Sequence, residues 1–330
     1  MDNRLIVIGA SAGGVSAVQR LIARLPQDFP AALLMTLHVG THRNLLPELL
    51  SRCGPLRALH GVDGEPIPVG QIRVAPPDLH MVVNGDFVAV GSGPKEHHTR
   101  PAIDPLFRSA ALAHRNKVVG VVLTGGMDDG TAGLRAIKDC GGIAIVQDPA
   151  DAEQSDMPAS ALRYVAVDHC LELDALPQLL IDLAHAPVPA AGKKCVPMEW
   201  LQEQDLSQGK GNAMTHLAAI GRPSPFVCPD CGGGLWRLDE PVPPRYRCHT
   251  GHAFSLASLL DAQCETTDVA LWGAIRALQE REALLREAAV SKRSEHDNGE
   301  ALGLDGQANA FQKQSREFMR MLHRMPAALE

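Results

Sequence analysis

Three residues far apart in the chain carry the side chains of a nucleophile, a base and an acid, and each stands where an apolar run ends. Ser11 lies within Gly9-Ala10-Ser11-Ala12-Gly13, a G-x-S-x-G pattern between an apolar run at 4–9 and a helix read over 15–25. A hydroxyl on a sharp strand–helix turn is thrust clear of the backbone, and small neighbours admit a substrate. The N-terminus of the following helix then offers unpaired N–H groups to developing negative charge. A nucleotide-binding turn is the rival reading. It is disfavoured because G-x-G-x-x-G spacing would put its second glycine at Ser11, and there is no P-loop lysine. His38 stands near the end of the run 31–39, and Asp128 and Asp129 follow the run 118–124 in LTGGMDDG. A serine hydroxyl needs a base, and the base needs a carboxylate to orient it. Either aspartate suits that role, which leaves the other to cap the helix beginning near Thr131.

Such residues meet only if the elements behind them form one sheet. The apolar runs 31–39, 71–75, 118–124, 142–146 and 164–167 predict strands, and 81–90, with Asn84-Gly85 between two β-rich runs, predicts a hairpin. Helices fit over 105–114 and 131–140. The alternation predicts an α/β fold, a doubly wound, mostly parallel sheet with helices on both faces. Ligands bind outside the carboxyl ends of such strands, which is where Ser11, His38 and the aspartates fall. The chain order Ser, His, Asp differs from the Ser, Asp, His order of the α/β-hydrolases.

In order and spacing, the stretches VIGASAGG, LHVGTHR, RVAPPDLHM, RPAIDPLFRSAA, LTGGMDDGTAGLRAIKDCGG and VQDPADAEQSDMPASAL resemble the catalytic domain of the bacterial chemotaxis protein-glutamate methylesterases, the CheB type. The likeness covers residues 4–185. It implies a serine hydrolase acting on glutamyl methyl esters of chemoreceptor helices, with glutamine deamidation as a further activity. Ser11 falls on the nucleophile, His38 on the base and Asp129 on the orienting carboxylate. The resemblance implies no cofactor for catalysis, methylated receptors as protein substrate, and other chemosensory signalling proteins as partners. Two features depart from the family pattern. The first catalytic strand begins at Arg4, so no receiver domain is expected ahead of it, and control is expected to be constitutive or exerted by a partner. Gly126-Met127 also replaces a Met-Gly pair in the aspartate loop, which bears on oxyanion donors expected at 12–14 and 125–127. His97, His98 and Arg100 are candidates to line the substrate groove, although a solvated polar loop is an equal reading.

Beyond residue 186 the composition changes. Prolines at 187, 189, 197, 223 and 225 mark a linker over 187–225, with a short helix near 199–206. FVCPDCGG and YRCHTGHAF then give Cys228-x2-Cys231, sixteen residues, and Cys248-x3-His252. This is the spacing of a structural Zn2+ site with four protein ligands, and His249 is a less favourable rival for the fourth position. A zinc-ribbon-like module over 226–255 is expected, then helices over 256–330. Leu271, Ile275, Leu278 and Leu285 line one face, 292–305 is read as loose, and a last helix is read over 309–322. The catalytic domain would occupy 1–186.

The 330 residues are 45% hydrophobic and 21% charged, an ordinary globular balance. A net charge of −7 argues against general nucleic-acid binding. No apolar run nears the length of a membrane span, and no signal peptide opens the chain, so a cytoplasmic location is expected, with the scattered cysteines 53, 140, 170, 195 and 264 reduced. A second reading is a catalytically weak scaffold that uses the Cys/His module to dock signalling partners.

Overall fold

The computed structural model describes residues 3–38, 45–189, 196–239 and 243–324. Residues 39–43 of the LHVGTHR stretch and 190–195 of the proline-rich stretch lie outside them. The chain forms two compact units, Met1–Leu259 and Leu260–Glu330.

In the first unit the strands are β1 (Leu5–Ala10), β2 (Ala32–Leu37), β3 (Arg57–His60), β4 (Gln71–Val74), β5 (His80–Asn84), β6 (Phe87–Gly91), β7 (Val118–Val122), β8 (Ile143–Gln147) and β9 (His169–Leu171). The helices among them are α1 (Gly14–Ile22), α2 (Leu46–Cys53), α3 (Ile103–His114), α4 (Thr131–Asp139), α5 (Asp156–Tyr164) and α6 (Leu176–His185). Seven strands make one sheet in the order β3-β4-β2-β1-β7-β8-β9, and every pairing is parallel. Every residue of β1, β2 and β7 is buried, as expected of strands covered on both faces. Leu21, Ile22, Leu50, Leu176 and Leu180 cover one face, while Phe107, Leu134, Ile137, Met157 and Ala161 cover the other. The doubly wound sheet is therefore as the alternation predicts.

Strand order reverses between β1 and β7, which is the switch point where such sheets bind ligands. Two local readings are corrected. Residues 156–164 are helical, and the edge strand is β9 at 169–171 rather than 164–167. The strand β3 escapes prediction because only Ala58 of its four residues is buried. The hairpin β5–β6 forms, with the two-residue loop at Gly85-Asp86 and Asn84 paired to Phe87.

The segment read as linker carries structure: α7 (Met198–Ser207), α8 (Ala213–Ile220) and β10 (Gly221–Val227). β10 joins β11 (Gly234–Leu238), β12 (Arg245–Cys248) and β13 (Ala253–Ser255) in a four-stranded antiparallel sheet. This ribbon is joined to α3 and α7 by a buried ion lattice. Arg108 of α3 donates to both oxygens of Glu96 at 2.6 and 3.1 Å, and Arg247 of β12 reaches Glu96 at 3.0 Å and Glu203 of α7 at 3.1 Å. Arg245 forks onto Glu203 as well. All five side chains are buried, so each charge depends on the others to offset its desolvation. Arg–Glu charge and hydrogen bonding outweigh burial and hold the Glu96 carboxyl well below the ordinary carboxylate range.

The second unit holds most of α9 (Leu256–Ser294) and all of α10 (Asn298–Leu322). Their antiparallel contacts include Arg281 over the Phe311 ring at 4.5 Å, Arg286 to Asn309 at 3.2 Å, and Arg293 with Asp305. Ile275 and Ala289 of α9 and Ala301 and Ala308 of α10 are buried, and the three alanines let the helices approach. The stretch 298–305, read as loose, is helical. Asp297 caps it by accepting from the Glu300 N–H at 3.0 Å, and its exposed glycines, 299, 303 and 306, concealed the pattern.

Candidate active site

Ser11, His38 and Asp129 follow β1, β2 and β7 and meet at the switch point. His38 Nδ1 lies 3.2 Å from Ser11 Oγ, and His38 Nε2 lies 2.9 Å from Asp129 Oδ2. The imidazole thus links hydroxyl to carboxylate, with Nδ1 rather than Nε2 facing the serine. Ser11 is part-exposed, the His38 side chain is 21% exposed, and that of Asp129 is 4% exposed. The open end of the relay faces solvent and the acid is sealed.

Ser11 is anchored from below. Its N–H donates to Thr124 O at 2.9 Å, while Thr124 Oγ1 donates to Ala12 O at 2.9 Å. The left-handed residue of the turn is Gly13, at φ 73°, so the serine itself carries no backbone strain. Gly125 presses against Ser11: a Cβ there would stand 2.8 Å from Ser11 Cβ and 2.1 Å from Met157 Sδ. Two of the expected oxyanion donors are already used, Gly14 N–H by Ser11 O and Gly125 N–H by Gln154 O. The amides of Ala12, Gly13, Gly126 and Met127 donate to no protein acceptor among the described residues. Met127, itself left-handed at φ 61° and 39% exposed, forms a lip of the site.

Asp129 is held by the start of α3, a partner 26 residues away that no local pattern announces. Oδ2 accepts from Ile103 N–H at 2.7 Å, and Oδ1 accepts from Asp104 N–H at 3.0 Å and Gly130 N–H at 2.8 Å. The carboxylate fills the role of a cap for a helix whose own N-cap, Ala102, has no side-chain acceptor. Asp128 does not cap α4: its Oδ1 accepts from the Ser255 hydroxyl at 2.7 Å.

His97 was a candidate for the groove lining and is instead buried behind the acid. Its Nε2 lies 2.8 Å from Asp104 Oδ2 and 3.6 Å from Asp129 Oδ1, and its Nδ1 lies 3.7 Å from Asp128 Oδ1. Burial alone would lower its pKa, but these three carboxylates outweigh burial and raise it to about 10. Burial would likewise raise Asp129, yet the His97 charge and the His38 hydrogen bond hold it at about 2. Asp129 is therefore ionised throughout the neutral range. His98 pairs with Asp230 at 2.7 Å, and Arg100 pairs with Asp78 at 3.0 Å.

A stability prediction follows from His97. Its pKa is raised on folding, so its contribution is fully present below the ordinary 6.5 and is lost as pH rises through about 10. The thermal midpoint is expected to fall between pH 7 and 10, and His97→Gln is expected to flatten that decline. A variant with the same slope as the parent would assign the decline to another group.

The Cys/His cluster gathers as its spacing requires. Cys231 Sγ to Cys248 Sγ is 3.8 Å, Cys228 Sγ to His252 Nδ1 is 3.7 Å, and Cys248 Sγ to His252 Nδ1 is 3.5 Å. A tetrahedral Zn2+ with Zn–S of about 2.3 Å and Zn–N of about 2.0–2.1 Å needs edges of about 3.8 and 3.6 Å. All four donor atoms lie within 4.8 Å of one another, and no disulfide ties the described cysteines. The residues fit such an ion, with four protein ligands and no open position. His249 is outside the group, its ring lying over Gly233.

Residues 6–180 match the family model described as CheB methylesterase. A relative in Leptospira interrogans serogroup Icterohaemorrhagiae serovar copenhageni, whose name carries the activities protein-glutamate methylesterase and protein-glutamine glutaminase, is 35% identical over 185 residues. That alignment spans 56% of this chain and 96% of the relative. Protein-glutamate methylesterase/protein-glutamine glutaminase 2 of Anaeromyxobacter dehalogenans is 34% identical over 180 residues, and the match covers 54% of this chain but only 53% of that protein. The crystal structure of the Thermotoga maritima CheB methylesterase catalytic domain superposes with a TM-score of 0.54 at 29% identity, covering 56% of this chain and all of that one.

Proposed function

The chain belongs to the CheB methylesterase family, and from that premise we propose that it hydrolyses glutamyl methyl esters on chemoreceptor helices through Ser11, His38 and Asp129. The observation that carries the reading is the continuous contact from the Ser11 hydroxyl through His38 to Asp129. His38 Nδ1 takes the hydroxyl proton as Ser11 Oγ attacks the ester carbonyl. Asp129, already ionised, keeps the other ring nitrogen protonated and stabilises the imidazolium that forms. Free amides at 12–13 and 126–127 receive the oxyanion, each such donor being worth about 3–4 kcal/mol. The imidazolium protonates the leaving methoxide, methanol departs, and His38 then activates water to free the glutamate. Glutamine deamidation follows the same path with ammonia as the leaving group.

Zn2+ at Cys228, Cys231, Cys248 and His252 supplies structure rather than chemistry, because all four positions are taken by protein. A cytoplasmic location fits the absence of a disulfide among the described cysteines and a receptor substrate. Methanol release from methylated receptor membranes tests the proposal, together with fluorophosphonate labelling mapped by peptide sequencing. Release above background with the label on Ser11 is expected, and a chain that neither releases methanol nor takes the label sinks the reading.

A further inference from the structure

We propose that the Cys/His ribbon is a clamp on the active site: Zn2+ bound by Cys228, Cys231, Cys248 and His252 fixes the segment 95–98 that presses His97 against Asp129, so that the competence of Ser11 depends on the loading of a metal on a different sheet. The activity arm of this inference rests on the methylesterase reading; its structural arm does not.

The segment needs an outside hold. His97 and His98 are consecutive left-handed residues, at φ 54° and 61°, and neither is glycine. Such residues cost about 1–3 kcal/mol each and persist only where the surroundings over-determine them. Here the surroundings are largely the ribbon. Ala253 N–H donates to Lys95 O at 3.2 Å, and His97 N–H donates to Ala253 O at 2.8 Å. Arg247 reaches Glu96 at 3.0 Å, and Asp230 pairs with His98 at 2.7 Å. Four successive residues are thus gripped by the ribbon. Arg108 of α3 adds a hold on Glu96. From the same strand that carries Ala253, Ser255 donates to Asp128, the neighbour of the triad acid.

The gripping residues sit among the ligands. Asp230 lies inside the Cys228–Cys231 knuckle, Arg247 precedes Cys248, and Ala253 follows His252. A ribbon with so small a core draws its order from the ion, because metal binding free energy is folding free energy in modules of this size. Loss of the ion therefore loosens Asp230, Arg247 and Ala253 together. The strained pair at 97–98 relaxes, and His97 withdraws from Asp104 and Asp129. The carboxylate that orients His38 then loses its buried counter-charge and the firm seat of the α3 amides beside it.

The experiment compares the full chain loaded with Zn2+ against the same chain stripped with EDTA, with metal content read by a chromogenic chelator. Hydrogen exchange of the amides 96–104 and the rate of fluorophosphonate labelling at Ser11 are followed in both. Stripping is expected to speed exchange across 96–104 and to slow labelling about tenfold or more, a loss in keeping with the cost of small misplacements in a site. Re-adding Zn2+ restores both. Ser255→Ala, which leaves the ligands intact, is expected to keep its Zn2+ and slow labelling in the same direction by less. A chain that takes up no Zn2+, or whose exchange and labelling ignore its removal, overturns the clamp. If the loaded chain neither labels at Ser11 nor releases methanol, the esterase reading falls, and exchange at 96–104 still decides the clamp.

Discussion

Ser11→Ala is expected to lower kcat for methanol release by about 10⁴-fold or more while leaving KM within a few-fold. The size follows from the role: a triad acts as a unit, and removing its nucleophile leaves only what oxyanion donors and substrate binding supply. The fold tolerates the change, because the hydroxyl has His38 Nδ1 as its only hydrogen-bond partner among the described residues. Ser11 keeps its place through its backbone, its N–H on Thr124 O and its carbonyl accepting from Gly14 N–H. Alanine therefore preserves the turn and removes only the attacking oxygen. Methanol release and the thermal midpoint, measured on the same preparation, check this. An activity within tenfold of the parent at an unchanged midpoint would mean that the hydrolysis, if present, runs through another nucleophile.

How much of this was legible in the residues alone depends on the range of each interaction. The central strands were legible, since LIVIGA, ALLMTL and VVGVV are apolar at nearly every position and buried at every one. The rim positions of Ser11 and His38 followed from where such runs end. Asp129 could not be told from Asp128 by local pattern, because what separates them lies elsewhere: the first turn of α3 seats one, and Ser255 takes the other. His97 was misplaced for the same reason. It reads as a polar loop residue, and only the folded chain brings it against Asp104 and Asp129. The Cys/His pattern was legible by spacing, but its attachment through Arg247, Glu96 and Glu203 was not, as those partners are drawn from three separated stretches. Local patterns carried the sheet and the chemistry; contacts between separate elements of the folded chain carried the support for both.

Asp129→Asn is expected to lower kcat about 10⁴-fold, the scale seen when a triad histidine loses its carboxylate and takes the wrong tautomer. Here the substitution also meets a second obstacle. Asp129 accepts from three backbone N–H groups as well as from His38, so all the hydrogen atoms around it point inward. An asparagine must set its amide NH2 in one of the two oxygen positions, where it faces donors. Placed at Oδ2, it opposes Ile103 N–H and forces His38 to present a lone pair, which leaves the proton on the nitrogen facing Ser11. Placed at Oδ1, it opposes the Asp104 and Gly130 amides. Either way a buried donor is left unmatched, at about 1–3 kcal/mol. Loss of activity is therefore expected to come with a lower thermal midpoint, a pairing not expected of Ser11→Ala. Asp128→Asn is the control, since an amide oxygen can accept the Ser255 hydroxyl equally well, and Asp128 faces His97 at 3.7 Å without hydrogen-bonding it, leaving Asp104 at 2.8 Å as the closer carboxylate. Its activity is expected to stay within about tenfold of the parent. Equal losses from the two substitutions would mean that the acid has been assigned to the wrong one of two neighbours.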